Sequence, residues 1–352
     1  MFNPTSQATV NRQILLKSRP DGEPKATNFT LAEAPVPTPQ DGEVLRRTLY
    51  LSLDPYMRGR MSDGPSYAAS VALGQVMVGG TISQVIASRS SEFAEGDFVL
   101  GYDGWQEYGL SDAQGLRKLD PAQGRLSYAL GVLGMPGLTA YAALLDIGRP
   151  QPGETVVVSA AAGAVGSIVG QVAKIKGCRA VGLAGSDEKC RFVTDVLGFD
   201  ACVNYKTADL AAALREACPD GIDVYFDNVA GRILEAVLGQ INLGARIPLV
   251  GLISEYNTAA PPTGPNLRPL LVKRALIHGF LVGDYSYRQE VFLSDMSGWV
   301  REGSVKVCEE RVDGLENAPE AFLGLFSGRN TGKLLVRVSE DPSDGGGVGT
   351  GG

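Results

Sequence analysis

The stretch Glu154 to Cys178, ETVVVSAAAGAVGSIVGQVAKIKGC, decides the fold. It opens with a β-branched run, Thr155 to Val158, and passes through a turn of small residues. Apolar residues then recur at Val165, Ile168, Val169, Val172 and Ala173. The run has the composition of a buried strand, and the recurrence has the spacing of one helix face. In this order, Ala161, Gly163 and Gly166 stand where a dinucleotide turn has its three glycines. Small residues let the backbone approach a pyrophosphate, and a helix start offers unpaired N–H groups and the positive end of its dipole. The pattern implies a nicotinamide nucleotide and hydride transfer. Ala161 replaces the usual first glycine, so the turn needs its surroundings to support it.

Those surroundings alternate strand and helix. Ala180 to Ala184 reads as a strand, Lys189 to Leu197 as a helix and Ile222 to Phe226 as a strand. A helix begins near Gly231, and Ala245 to Val250 reads as a further strand. Such alternation predicts a parallel sheet with helices on both faces. An acid about twenty residues beyond the turn usually binds the adenosine ribose of NAD. Here the position holds Gly185, followed by Ser186 and, one helical turn on, Lys189. Glycine removes the carboxylate that would repel a 2′-phosphate. Ser186 can donate to phosphate oxygen, and Lys189 supplies positive charge, with Arg191 a further candidate. These residues favour NADPH/NADP+. The alternative leaves Ser186 as a helix N-cap and Lys189 as a solvated helix residue. Asp187 and Glu188 suit the helix N-terminus and can point away from the phosphate.

The chain has 352 residues, enough for two cores. It is 44% hydrophobic and 20% charged, as in a globular protein. A net charge of −7 argues against general nucleic-acid binding, which needs clustered cations. No apolar run reaches membrane-spanning length, and the N-terminus lacks a continuous apolar signal core, so a cytoplasmic location is expected. Five cysteines, Cys178, Cys190, Cys202, Cys218 and Cys308, are widely spaced with no C-x-x-C, and His278 is the only histidine. Neither a disulfide framework nor a zinc site follows from this spacing, so no metal is expected.

The first hundred residues differ in texture. Short β-like runs at Glu43 to Leu53, Gln75 to Ile86 and Asp97 to Leu100 lie between turn-rich segments, and Pro35, Pro37 and Pro39 form an extended connector. Leu138 to Ile147 reads as one helix, ended by Pro150 and Pro152. Beyond about Trp299, strand-like runs at Lys306 to Val312 and Lys333 to Val338 flank a helix from Ala318 to Gly328. The last strand is expected to rejoin the first domain. The tail DPSDGGGVGTGG has nothing to bury and is expected to be disordered.

Several motifs carry a resemblance. They are LSLDPYMRGRMSD (Leu51 to Asp63), VMVGGTIS (Val76 to Ser83), LGMPGLTAYAALLDIG (Leu133 to Gly148), GLISEYN (Gly251 to Asn257) and GRNTGKLLV (Gly328 to Val336). Together with the turn and the missing metal ligands, they resemble the zinc-independent branch of the medium-chain dehydrogenase/reductase superfamily. That branch contains the leukotriene/prostaglandin reductases and the bacterial NADPH-dependent curcumin reductases, the latter being the nearer match. The resemblance covers nearly everything except the termini. It implies an α/β fold: a Rossmann-type doubly wound parallel sheet at 131–305, plus a GroES-like β-rich domain from 1–130 and 306–340, with a 341–352 tail. It also implies NADPH-dependent reduction of the carbon–carbon double bond of an enone, a small-molecule substrate, without metal, nucleic acid or membrane. Related possibilities are a quinone oxidoreductase and a non-catalytic NADPH-binding sensor.

The resemblance assigns residues. Gly163, Ala164, Val165 and Gly166 should meet the pyrophosphate, with Gly185, Ser186, Lys189 and Tyr205 around the 2′-phosphate. Asn228, Ser254, Tyr256, Phe280, Val282 and Asn330 should complete the cofactor site. Tyr56 is expected to face the cleft as proton donor or enolate stabiliser, with Tyr256 and Tyr67 as further catalytic candidates. A phenol donates a hydrogen bond at neutral pH, and the alternative for each is a buried ring with a wet hydroxyl. Loops around Tyr67, Tyr102, Trp105 and 261–268 should set pocket size. A homodimer is expected from the resemblance, with 275–282 a candidate edge for pairing.

Overall fold

The structure is a computed structural model that describes residues 9–64, 66–206, 209–258 and 262–343. The tail beyond 343 and Pro261 of the 261–268 loop lie outside the described residues. The chain divides into two compact units. One gathers the chain up to Leu130 with Arg311–Ser327 and the chain from Leu334; the other gathers Gly131–Glu310 with Gly328–Lys333.

The first unit begins with an antiparallel hairpin, β1 (Val10–Leu16) against β2 (Phe29–Pro35). Next come β3 (Glu43–Ser52), β4 (Thr81–Ser88), β5 (Phe98–Gly101), β6 (Tyr108–Asp112) and β7 (Arg117–Leu119). The expected strand from Gln75 forms only from Thr81. Before it, Gln75 and Met77 bond instead to Leu16 and Ile14 of β1 in an isolated bridge, and a Cβ at Gly79 would stand 2.7 Å from Leu51 Cδ1, so the chain passes Leu51 closely between the two pairings. The core of this unit includes Leu51, Leu53, Met57 and Met61. Trp105 stacks on Phe29 with ring centroids 5.4 Å apart, and Phe322 meets the Trp105 ring edge-on. Within the core-side strand β3, Arg46 is 1% exposed and paired with Asp103 at 4%. Asp103 also accepts from Thr81 and Ser83 hydroxyls, and Arg46 donates to Ser111 and to the Val44 carbonyl, so both charges are hydrogen-bonded.

The second unit carries β8 (Thr155–Ser159), β9 (Arg179–Ala184), β10 (Ala201–Asn204), β11 (Ile222–Phe226), β12 (Ile241–Leu249) and β13 (Leu276–Gly279). Their order is β10-β9-β8-β11-β12-β13, every neighbouring pair parallel. The order reverses between β8 and β11, the point where doubly wound sheets bind ligands at their strand ends. β8 is buried along its whole length, as its β-branched run requires. Strand β12 starts earlier than its Ala245 expectation. The helix expected at Leu138 starts at Met135, turns π-helical from Ala143 and stops at Gly148. The helix expected at Lys189 likewise starts at Asp187 and widens at Phe192. Edge strand β13 leaves Leu276 and Ile277 exposed, and the preceding helix Arg268–Lys273 exposes Leu271 at 81%.

Two later strands, β14 (Glu309–Asp313) and β15 (Lys333–Arg337), belong to the seven-stranded sheet of β3, where β15 pairs antiparallel with β3. The strand expected from Lys306 starts only at Glu309. Lys306 has its N–H and carbonyl taken by the Gln171 side chain, at 2.7 and 3.1 Å, instead of a ladder. Gly328–Lys333, inside the 306–340 stretch, clusters with the second unit, where the Gly332 N–H donates to the Ala162 carbonyl at 2.7 Å.

Candidate functional site

After β8, Ala160 takes a left-handed conformation with φ 51° and turns the chain towards helix Gly166–Ile175. The Ala160 carbonyl accepts the Gly163 N–H at 2.9 Å. A Cβ on Gly166 would lie 2.4 Å from that carbonyl oxygen, and one on Gly163 3.2 Å from it. Close backbone packing thus requires glycine at 166, while at Gly163 a Cβ would be tight against the same carbonyl. Val165, the N-cap, offers no side-chain cap to the helix. Within its first turn the Ser167 and Ile168 N–H groups donate to the Gly163 and Val165 carbonyls at 3.1 and 3.0 Å, and the positive end of the helix dipole beside Gly163, Ala164 and Val165 suits a pyrophosphate.

The end of β9 presents no carboxylate. Gly185 is pressed between side chains: a Cβ there would come 2.9 Å from the Tyr205 hydroxyl and 3.2 Å from Lys206 Cε. Ser186 caps helix Asp187–Arg191, its hydroxyl accepting the Lys189 N–H at 3.2 Å. Lys189 is not a freely solvated side chain. Its ammonium donates to the carbonyls of Gly328 and Asn330 at 2.7 and 2.5 Å, and burial lowers its pKa. These bonds tie Asn330 to the Lys189 helix, and the Asn330 side chain donates to the Gly332 carbonyl.

At the switch point, β8 and β11 are locked together. The Asn228 N–H donates to Ser159 Oγ and its side-chain amide to the Ser159 carbonyl, both at 2.8 Å. Asp227, wholly buried, accepts from Ser159, Tyr225, Val229 and Ala230 on Oδ1. Burial pushes its pKa up against these donors. The turn it grips includes Ala230 at φ 62°, a conformation costly for alanine. Ser254 donates to the Val229 carbonyl at 2.6 Å, pinning GLISEYN to this turn. Tyr256, half-buried, accepts the Leu252 N–H at 3.5 Å, and burial raises its phenol pKa. Phe280 follows β13, is buried, and packs its ring 4.6 Å from Tyr285; Val282, half-buried, opens the next helical turn.

The other tyrosines lie in the first unit. Tyr56 is the N-cap of the short helix Met57–Arg60. Its phenol pKa is driven well above the ordinary value, by burial first and then by the Asp54 carboxylate and the Tyr102 and Tyr67 phenols. Tyr67 is 65% and Tyr102 72% exposed, whereas Trp105 is fully buried in the core and does not line a pocket. Among the described residues, no group of three or more His, Cys, Asp or Glu is placed to hold a metal ion. No helix there is long and apolar enough to cross a membrane.

Comparisons with known proteins identify the family. A family described as the N-terminal domain of oxidoreductase matches residues 12–119, and one described as zinc-binding dehydrogenase matches residues 164–296. The NADPH-dependent curcumin reductase of Escherichia coli is 52% identical over 95% of this chain and 99% of its own. The rat prostaglandin reductase 1 is 44% identical over 92% of this chain and 98% of its own. The chain belongs to the zinc-independent branch of the medium-chain dehydrogenase/reductase superfamily. The crystal structure of CurA from Vibrio vulnificus in complex with NADPH, 52% identical, superposes with a TM-score of 0.90 over 94% of this chain and 100% of its own.

Within this medium-chain reductase, two residues beside the candidate site escaped sequence reading. Lys206 stands beside Gly185 and Tyr205, a second cation near the carboxylate-free strand end. The Tyr205-Lys206 neighbours were its only signal. Asp227 organises the turn bearing Asn228, and its total burial is invisible in the motif FDNVAG.

Proposed function

We infer that the chain reduces the carbon–carbon double bond of α,β-unsaturated ketones and aldehydes with NADPH. The observation that carries this reading is identity spanning both units with enzymes named NADPH-dependent curcumin reductase and, in Nicotiana tabacum, 2-alkenal reductase (NADP(+)-dependent), the latter 44% identical over 96% of this chain and 100% of its own. Bound NADPH supplies the hydride for the β-carbon. Gly163, Ala164, Val165 and Gly166 hold its pyrophosphate. Gly185, Ser186, Lys189 and Tyr205 receive the 2′-phosphate, and Asn228, Ser254, Tyr256, Phe280, Val282 and Asn330 shape the rest of its seat.

Hydride addition would leave negative charge on the substrate's carbonyl oxygen, which a fixed donor on the protein would stabilise. Tyr56 is that donor. Burial and the Asp54 charge hold its proton tightly, so it acts as a hydrogen-bond donor to the oxyanion rather than as an acid that gives its proton away. Tyr67 is the further candidate in the same unit for a polar contact with substrate. Tyr56→Phe is expected to lower kcat/KM for an enone by about 100-fold while NADPH still binds. The wild-type rate is expected to show no Tyr56-linked loss below about pH 10, because its pKa is raised and the donating form persists. Steady-state kinetics across pH check both, and a fully active Tyr56→Phe enzyme would remove Tyr56 from the mechanism.

The exposed Leu276 and Ile277 on β13, and Leu271 of the preceding helix, suit pairing with a second copy along this sheet edge. Light scattering is expected to give twice the chain mass, and Ile277→Lys to shift the protein towards monomer. A monomeric wild type would reject the dimer.

A further inference from the structure

Asp227 follows β11 and is wholly buried, yet only one of its oxygens is served. The Tyr225 hydroxyl and the Ala230 N–H donate to Oδ1 at 2.8 Å, the Val229 N–H at 2.9 Å and the Ser159 hydroxyl at 3.2 Å. Oδ2 has no hydrogen-bond partner among the described residues. A buried carboxylate bonded on one side alone costs stability that an apolar side chain would not. Ala230, three residues on, adds a second cost with its φ of 62°. Two destabilising features in one turn are retained for what the turn carries.

It carries Asn228. The Asn228 N–H donates to Ser159 Oγ, the hydroxyl that itself donates to Asp227, and Asn228 Nδ2 donates to the Ser159 carbonyl. With the amide nitrogen tied there, the amide oxygen is turned away from Ser159, and no donor among the described residues reaches it. Asn228 is thereby set as an acceptor. Sheet order says of what. The strands run β9-β8-β11, with the 2′-phosphate seat at the end of β9 and the pyrophosphate turn after β8. A dinucleotide laid across these strand ends brings its nicotinamide half to the end of β11. That half carries ribose hydroxyls and a carboxamide N–H, which are donors. We propose that Asp227 is a positioning residue for the nicotinamide half of NADPH, fixing the Val229-Ala230 turn and the Ser159 hydroxyl so that the Asn228 oxygen faces those donors. This rests on the reading of this turn as part of the NADPH seat.

The test titrates two ligands by calorimetry: NADPH, and adenosine 2′,5′-bisphosphate, which keeps the adenosine end and has no nicotinamide. Asp227→Asn preserves the shape of the side chain and removes its charge. It is expected to weaken NADPH by about tenfold and to leave the bisphosphate within about twofold of wild type. Ser159→Ala, a smaller change, should move the ratio of the two affinities in the same direction, and it carries the test should Asp227→Asn fail to fold. Tyr141→Phe is the control for simple loss of stability. It removes a 2.6 Å bond to Asp295 in the same unit, so Tm should fall while both affinities hold. Unchanged NADPH affinity in the folded variants, or equal weakening of both ligands, would overturn the positioning role and leave the seat standing. A wild type that binds neither ligand would overturn the seat as well.

Discussion

Gly166→Ala is expected to weaken NADPH binding by roughly tenfold to 100-fold, with some loss of stability. The added Cβ would lie 2.4 Å from the Ala160 carbonyl oxygen and 2.9 Å from both Ala160 C and Ala161 Cα. All three are backbone atoms, so no side chain can swing aside. Ala160 is already held at φ 51°, and its carbonyl is bound to the Gly163 N–H. Relief therefore has to move the turn or the helix start. Overpacking of this kind costs about 1–3 kcal/mol, and about 1.4 kcal/mol is a factor of ten in affinity. Gly298→Ala is the control. Nothing lies within 4 Å of its Cβ position in helix Gln289–Arg301, so wild-type affinity should persist. Calorimetric titration with NADPH reads both variants. An unchanged affinity in Gly166→Ala would show that this turn does not hold the pyrophosphate.

The second large effect is on stability. Arg46→Met or Asp103→Ala is expected to destabilise the protein by about 3–5 kcal/mol, lowering Tm by roughly 10 °C. Either change leaves a nearly inaccessible charge without its partner, since neither side chain exceeds 4% exposure. In Arg46→Met, the Thr81 and Ser83 hydroxyls alone remain to satisfy a buried carboxylate. Little space exists for rearrangement: a Cβ on Gly109 would fall 2.1 Å from Asp103 Cγ. Double replacement, Arg46→Met with Asp103→Asn, should cost less than the sum of its singles, because it removes both charges together. Thermal melts of the set measure this. Single variants that melt with the wild type would show that the pair contributes no such stability.

Local pattern made the Rossmann half readable. The run Thr155 to Val158 is apolar because β8 is buried on both faces, and the glycine at 166 is demanded by the Ala160 carbonyl. The N-terminal hairpin escaped notice because a polar residue occupies a core position. Asn11 is 2% exposed and replaces hydrophobic packing with bonds to Gln106 and the Tyr108 carbonyl, partners almost a hundred residues away. The delayed start of β14 has the same origin, since Gln171 takes the backbone of Lys306. At the site, Gly185 and Lys189 could be singled out by their spacing from the turn. The tether from Lys189 to the Gly328 and Asn330 carbonyls could not, because it spans 139 and 141 residues. Tyr56 was singled out by resemblance, while the burial and the Asp54 charge that keep it protonated required three-dimensional neighbours.

The most direct measurement follows the hydrogen itself. The protein would be incubated with an α,β-unsaturated ketone and NADPH deuterated at the transferable position of the nicotinamide, and the product analysed by NMR. The expected product is the saturated ketone with deuterium on its β-carbon. An allylic alcohol with deuterium on the former carbonyl carbon, or no consumption of NADPH across a panel of enones, would contradict the assignment of this chain as a double-bond reductase.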